Sequence, residues 1–230
     1  MELLDGESAQ DTVSRWGPLE PGRVVYLLIQ VARALHEAHS LGLIHRDVTP
    51  ANIMICHHAG EYDVAKVVDF GLARETDPGA DTRLSVAGEI TGTPQYMAPE
   101  CLTSPELADG RCDLYSLGAV AYFLLTGEHA FTGNSLLEVC SKQLLDQAPS
   151  LDSIRDDIPA SLNELIRDCL SKDVEGRPRN GVEVAMRLEA CRGASPWTAI
   201  DAERWWGSRD SSNEVAQKVI PRTLHVRLPE

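Results

Sequence analysis

Apolar residues recur at helical spacing between Pro21 and Ser40, where Val24, Leu28, Val31 and Leu35 share one face. Pro21-Gly22 suits the start of such a helix and Gly42 suits its end, so a long helix with one buried side is predicted. A shorter helix is predicted over Glu7 to Arg15, stopped by Gly17-Pro18. From Leu114 to Thr126 the chain is apolar on every side and ends at Gly127, the pattern of a helix that runs through the middle of a domain. Pro159 opens a further helix in which Leu162, Leu165, Ile166, Cys169 and Leu170 fall at i, i+3, i+4, i+7 and i+8. Asn134 is expected to cap a helix that buries Leu137, Cys140 and Leu144, and a last regular helix is expected from Gly181 to Cys191. Two short runs, Ile53-Met54-Ile55 and Ala65-Lys66-Val67-Val68, have strand character and flank a turn near His57 to Tyr62. Arg74 to Gly92 is polar, contains Pro78-Gly79 and lacks any period, which marks a long loop. No repeat of twenty to fifty residues is present, so a helical solenoid is set aside.

Composition narrows the classes. The 230 residues suffice for a true core, and a 43% hydrophobic share excludes general disorder. The formal net charge is -14, spread along the chain. Such a field repels phosphate, so neither nucleic acid nor an anionic membrane is expected as a partner. Six cysteines stand singly at 56, 101, 112, 140, 169 and 191 with no C-x-x-C. That usage fits free thiols in a reducing cytosol, and a cytoplasmic location is expected. The N-terminus lacks the pattern of a signal peptide, and the longest apolar run, Leu117 to Leu125, is too short to cross a bilayer. His36 and His39 form H-E-A-H, not the H-E-x-x-H of zinc proteases, and read as surface or packing histidines.

The informative chemistry lies in His45-Arg46-Asp47-Val48-Thr49-Pro50-Ala51-Asn52, followed by Asp69-Phe70-Gly71. An acid stands five residues before a carboxamide, and a second acid stands beside a glycine. One general base and two oxygens for a hard cation need this set. Gly92-Thr93-Pro94-Gln95-Tyr96-Met97-Ala98-Pro99-Glu100 continues the order. With these motifs the chain resembles the C-terminal lobe of a eukaryotic-like, bacterial-type serine/threonine protein kinase, from the hinge onward. The resemblance covers residues 1–192 and implies an α+β, mainly helical fold with short β-hairpins around the catalytic loop. Residues 193–230 form a C-terminal extension: a short helix bearing Trp205-Trp206, then a loose tail from Ser208. Its tryptophans either pin the helix to the lobe or form a partner-binding patch.

The resemblance implies transfer of the ATP γ-phosphate to serine or threonine hydroxyls of a protein substrate, with Mg2+ as cofactor. Asp47 would take the substrate proton, with Arg46 and Thr49 beside it. Asn52 and Asp69 would supply oxygens to magnesium. Backbone groups of Glu2 and Leu4 would meet the adenine edge. Met54 would lie beneath the adenine, or is plain core. Thr82, Ser85 and Thr91 are the candidate phosphoacceptors of the long loop, with Arg46 as the partner of a phosphate there. His45 and Gly71 would be structural, as would Thr93 through a hydroxyl bridge to Asp47. Asp113 would bind the backbone of the His45-Arg46 turn and the N–H groups that start its helix. Arg177 would form a buried bridge with Glu100.

Two features depart from the family pattern. Position 49 is threonine where such kinases usually carry lysine, which removes a charge beside the transferred phosphate and weakens catalysis on the order of a hundredfold. No G-x-G-x-x-G loop, V-A-I-K lysine or helix-C glutamate precedes the hinge. A truncated or mis-started gene product is therefore expected, completed by a separate N-lobe polypeptide. The alternative is an inactive lone lobe that acts as a protein-binding scaffold.

Overall fold

The computed structural model describes residues 5–58, 60–70, 93–191 and 196–218. Glu2, Leu4, Gly71, Thr82, Ser85 and Thr91 lie outside them. The architecture is α+β and mainly helical. A three-stranded antiparallel sheet, β1 (Gly6–Ser8), β2 (Ile53–His58) and β3 (Glu61–Val67), has the order β1-β2-β3. Helices α1 (Ala9–Trp16) and α2 (Pro21–Ser40) separate β1 from the hairpin. Both strands of the hairpin are longer than their apolar runs, because the polar ends pair as well: His58 stands opposite Glu61. The sheet edge needs glycine at position 6, since a Cβ there would come within 2.2 Å of the Ile55 carbonyl oxygen.

The remaining helices build the core. Helix α3 (Pro99–Thr103) is short, and α4 (Arg111–Thr126) follows. Every residue of α4 from Cys112 to Leu125 is buried, which is why its sequence shows no polar face. Gly127 ends it in the left-handed conformation at φ 75°, where glycine carries no steric penalty. Helix α6 (Ala160–Cys169) turns Leu162, Leu165, Ile166 and Cys169 onto α4. Helix α7 (Gly181–Cys191) packs on α2 so closely that a Cβ at Gly181 would lie 2.2 Å from the Ala32 carbonyl oxygen.

Helix α5 (Leu136–Leu145) differs from the expectation. Ser135, not Asn134, is its cap: the Ser135 hydroxyl accepts from Glu138 N at 3.2 Å, while Glu138 reaches back to Asn134 N at 2.8 Å. Serine followed three residues later by glutamate is a capping box, and its reciprocal bonds outweigh a single asparagine. The buried face is Val139, Cys140 and Gln143, while Leu137 is 80% exposed. A buried glutamine is invisible to an apolar pattern. Gln143 is satisfied because its Oε1 accepts from the Tyr115 hydroxyl and its Nε2 donates to the Pro94 carbonyl at 2.9 Å.

Beyond α7, helix α8 spans Ala199–Lys218, so it runs past Ser208, where a tail is expected. The preceding Trp197 and the helix residues Trp205 and Trp206 gather around a buried ion pair between α2 and β3. Arg23 Nε and Nη2 donate to Asp63 at 2.8 and 2.6 Å, and the two residues are 1% and 0% exposed. Trp197 Nε1 and Trp206 Nε1 donate to the same carboxylate at 3.0 and 2.8 Å. The Arg23 guanidinium sits over the Trp205 ring at 3.4 Å, and His57 stacks on Trp206 with ring centroids 4.8 Å apart. Asp63 thus receives four donors, which a buried carboxylate requires. Gln30 adds a further tie from α2, donating to Asp63 O at 2.9 Å and accepting from Ala65 N at 3.1 Å.

Candidate active site

The site starts where α2 ends. Gly42, at φ 77°, turns the chain back toward α4. There Asp113, fully buried in the first turn of α4, organises the next residues. Its Oδ2 accepts from His45 N at 2.8 Å and its Oδ1 from Arg46 N at 2.7 Å. His39 Nε2 completes the set at 2.7 Å from Oδ2. The donors are therefore the His45-Arg46 backbone, an imidazole and, at 3.8 Å, the Cys112 thiol; among the described bonds, no helix-start N–H reaches this carboxylate. His39 is a partner of the site, not a bystander. These bonds hold Arg46 at φ 63°, a conformation that costs a non-glycine residue about 1 kcal/mol or more and persists only when its surroundings enforce it.

His45 is fully buried. Its Nδ1 accepts from Asp47 N at 3.3 Å, so the ring proton belongs on Nε2, which lies 3.0 Å from the Val68 carbonyl oxygen. The imidazole therefore joins the loop to the end of the hairpin, and Phe70 packs edge-on against it at 4.5 Å. A 3-10 turn, Pro50–Asn52, leads into β2. Asn52 Nδ2 donates to both Asp47 O and Asp47 Oδ2 at 2.9 Å. Val68 N donates to Asn52 O at 2.9 Å, which places Asp69 beside that turn. Asp69 is exposed and stands at φ 62°. Asp47, Asn52, Val68 and His45 are thus closed into one ring of hydrogen bonds that ends next to Asp69, although 22 residues separate the first acid from the second.

The amide N–H of Asn52 is committed to Asp47, so its Oδ1 is the end left for a ligand. One carboxamide oxygen and one exposed carboxylate suit magnesium, which takes few protein ligands and keeps water and phosphate for the rest. No group of three or more His, Cys, Asp or Glu side chains among the described residues could hold a metal by itself.

The other candidates spread around this ring. Thr49 is buried at 4% exposure and Met54 is half-buried on β2, opposite Ser8. Arg46 is half-buried, and its Nε has no hydrogen-bond partner among the described residues. Thr93 differs from the expectation: it is exposed, and among the described bonds its hydroxyl makes none to Asp47. Its carbonyl instead accepts from Tyr96 N at 3.0 Å and opens the 3-10 turn Pro94–Tyr96. Arg177 meets Glu100 with two parallel bonds of 2.6 and 2.8 Å. The same guanidinium donates to Ser171 O at 2.8 Å and to Arg111 O at 3.2 Å, so α3, α4 and the turn before α7 share one anchor.

The protein kinase domain model matches residues 1–188. The chain belongs to the protein kinase family. Among its relatives, the serine/threonine-protein kinase pkn3 of Myxococcus xanthus is 39% identical over 193 residues, covering 83% of this chain and 35% of the relative. The serine/threonine-protein kinase PknB of Mycobacterium tuberculosis is 35% identical over 208 residues, covering 89% of this chain and 32% of the relative. The chain thus spans about a third of the length of these relatives and is a bacterial-type kinase sequence. In this kinase no helix among the described residues is long and apolar enough to cross a membrane.

Next to the site, His129 supports the Pro94–Tyr96 turn. Its ring packs edge-on against Tyr96 at 5.5 Å and stacks on Phe123 at 5.4 Å. Burial lowers its pKa from the ordinary 6.5. In that case the unfolded chain binds the proton more readily than the folded one. His129 therefore leaves stability untouched above about pH 6.5 and erodes it as the pH falls below that value. Thermal melts of wild type and His129→Phe between pH 7.5 and 5 should show a shallower acid decline for the variant. Parallel curves would contradict this role.

Proposed function

We propose that this chain provides the catalytic loop of a serine/threonine protein kinase, which transfers the γ-phosphate of ATP to hydroxyls of protein substrates. The observation that carries this reading is the hydrogen-bonded closure of Asp47 and Asn52 with Val68, the residue before Asp69. Asp47 accepts the proton of the attacking hydroxyl. A carboxylate can do so, because the hydroxyl becomes acidic only as the phosphoryl group departs. Asn52 Oδ1 and the Asp69 carboxylate would hold magnesium, which would supply positive charge to offset that of the phosphates. The Asn52 amide meanwhile keeps the Asp47 carboxylate in one orientation. Glu2 and Leu4 meet the adenine edge through their backbones and Met54 lies beneath it. Thr49 donates one hydrogen bond toward the transferred phosphate. A phosphate on Thr82, Ser85 or Thr91 would give an acceptor to Arg46 Nε, which has no partner among the described residues. Arg177 and Glu100 hold the substrate-side segment.

Ligand binding to the folded state must raise its melting temperature. At a hundredfold excess of ligand over Kd the gain is about 2.7 kcal/mol, roughly 5–10 °C for a chain of this size. ATP with magnesium should produce that rise in the wild type, ATP with chelator should produce much less, and Asp69→Ala should lose the magnesium-dependent part. A shift of equal size in the variant would refute the assignment of Asp69.

A further inference from the structure

A cavity of about 690 Å³ lies where the segment after α5 meets the end of α6, within the range of small-molecule sites. Leu151, Ile166 and Leu170 give it apolar wall, and Arg167 and Lys172 border it as cations. Three carboxylates border it too, and each already has a donor. Asp152 accepts from Asn163 Nδ2 at 2.7 Å, Asp168 from Arg187 Nη2 at 2.8 Å and Asp173 from Glu175 N at 3.1 Å. The cations are held more loosely. Arg167 reaches Glu164 and Asp168 at 3.8 and 3.9 Å, beyond hydrogen-bond distance. Lys172 is half-buried and forms no ion pair among the described residues. Its Nζ donates to the Tyr115 hydroxyl at 3.1 Å and lies 4.0 Å from the centre of the Phe131 ring. Lys142 differs in every respect: Glu138 pairs with it at 3.0 Å and it donates to the Thr132 carbonyl at 2.7 Å.

We propose that Lys172 is an acylation site, which takes its acyl group from a small acyl phosphate seated in this cavity. The neutral Nζ attacks the acyl carbon and an amide C–N bond forms. The C–O bond to the phosphate breaks, and the phosphate leaves with the electron pair and takes up the amine proton. The Arg167 guanidinium, short of acceptors, suits the phosphate oxygens. The apolar wall suits the acyl chain. An amine must lose its proton to attack, and the surroundings favour that loss. Burial brings the Lys172 pKa down to about 8; Arg177 works in the same direction and Asp146 against it. At pH 7.5 about a quarter of such an amine is neutral, against about a thousandth at the ordinary 10.5.

The position gives the modification a consequence. Lys172 heads a chain of donors: its Nζ to the Tyr115 hydroxyl, that hydroxyl to Gln143 Oε1, and Gln143 Nε2 to the Pro94 carbonyl at 2.9 Å. Acylation removes the charge and two of the three N–H donors, which loosens the hold on the Pro94–Tyr96 turn. Slower phosphoryl transfer by the modified protein rests on the proposed function, while the acylation itself does not.

The test is chemical. The full chain is incubated with acetyl phosphate at pH 7.5 and digested with trypsin. Acetylated Lys172 resists cleavage and reports as the uncut peptide 168–179, or 156–179 in Arg167→Gln. Lys172 should react at least about tenfold faster than Lys142, and the advantage should vanish in urea, where both amines are solvated. Arg167→Gln should slow the reaction with acetyl phosphate several-fold, yet leave the reaction with acetic anhydride, which carries no phosphate, unchanged. Lys172 reacting no faster than Lys142, or keeping its advantage in urea, would overturn the proposal. So would Arg167→Gln slowing both reagents equally, or neither.

Discussion

Asp63→Ala should destabilise the folded chain by about 3–5 kcal/mol, the range for removing one partner of a buried ion pair. The loss has three parts. Arg23, 1% exposed, keeps its charge but loses both strong acceptors. The indole N–H groups of Trp197 and Trp206 lose their shared oxygen atoms. An unsatisfied buried donor typically costs about 1–3 kcal/mol, so the total cannot be small even after local relaxation. For a chain of this length the melting temperature should fall by roughly 10 °C. Replacing both partners, as in Arg23→Met with Asp63→Leu, should cost less than Asp63→Ala alone, because no charge is then stranded. Chemical denaturation of the three proteins checks the ordering. A near-neutral Asp63→Ala would mean that the tryptophans do not seal this pair from water.

This cluster also shows where sequence reasoning ends. Helix α2 was legible from Val24, Leu28, Val31 and Leu35, and α6 from Leu162, Leu165, Ile166 and Cys169, because a buried helical face repeats within one element. The candidate site was legible for a different reason: Asp47, Asn52 and Asp69 keep a fixed order whose chemistry has few other uses. Arg23 and Asp63 lie 40 residues apart, and Trp197 lies 134 beyond Asp63. No local period links them, and an arginine next to a helix's apolar face reads as a surface residue. The buried Gln143 and the His39 bond to Asp113 escaped for the same reason: each is a polar group satisfied only by tertiary partners. The cap of α5 is different, since Ser135 and, three residues later, Glu138 are a local pattern written in the sequence itself. The exposed side of Thr93 reflects backbone geometry, which composition does not encode.

The second large effect concerns Asp47. Asparagine at this position keeps the size and one oxygen of the side chain, yet it cannot accept a proton from an attacking hydroxyl. General-base catalysis by a positioned side chain contributes about a hundredfold to ten-thousandfold in rate. Binding of the nucleotide with magnesium should survive, since Asn52 Oδ1 and Asp69 are unchanged, although the Asn52 amide loses a charged acceptor. Incorporation of labelled phosphate from ATP into a serine/threonine peptide, compared for the full wild-type chain and Asp47→Asn, is the most direct measurement. Wild-type transfer with a loss of at least about a hundredfold in the variant is the predicted result. Equal incorporation by the two proteins, at any level, would contradict the claim that the ring holding Asp47 and Asn52 next to Asp69 is a phosphoryl-transfer site.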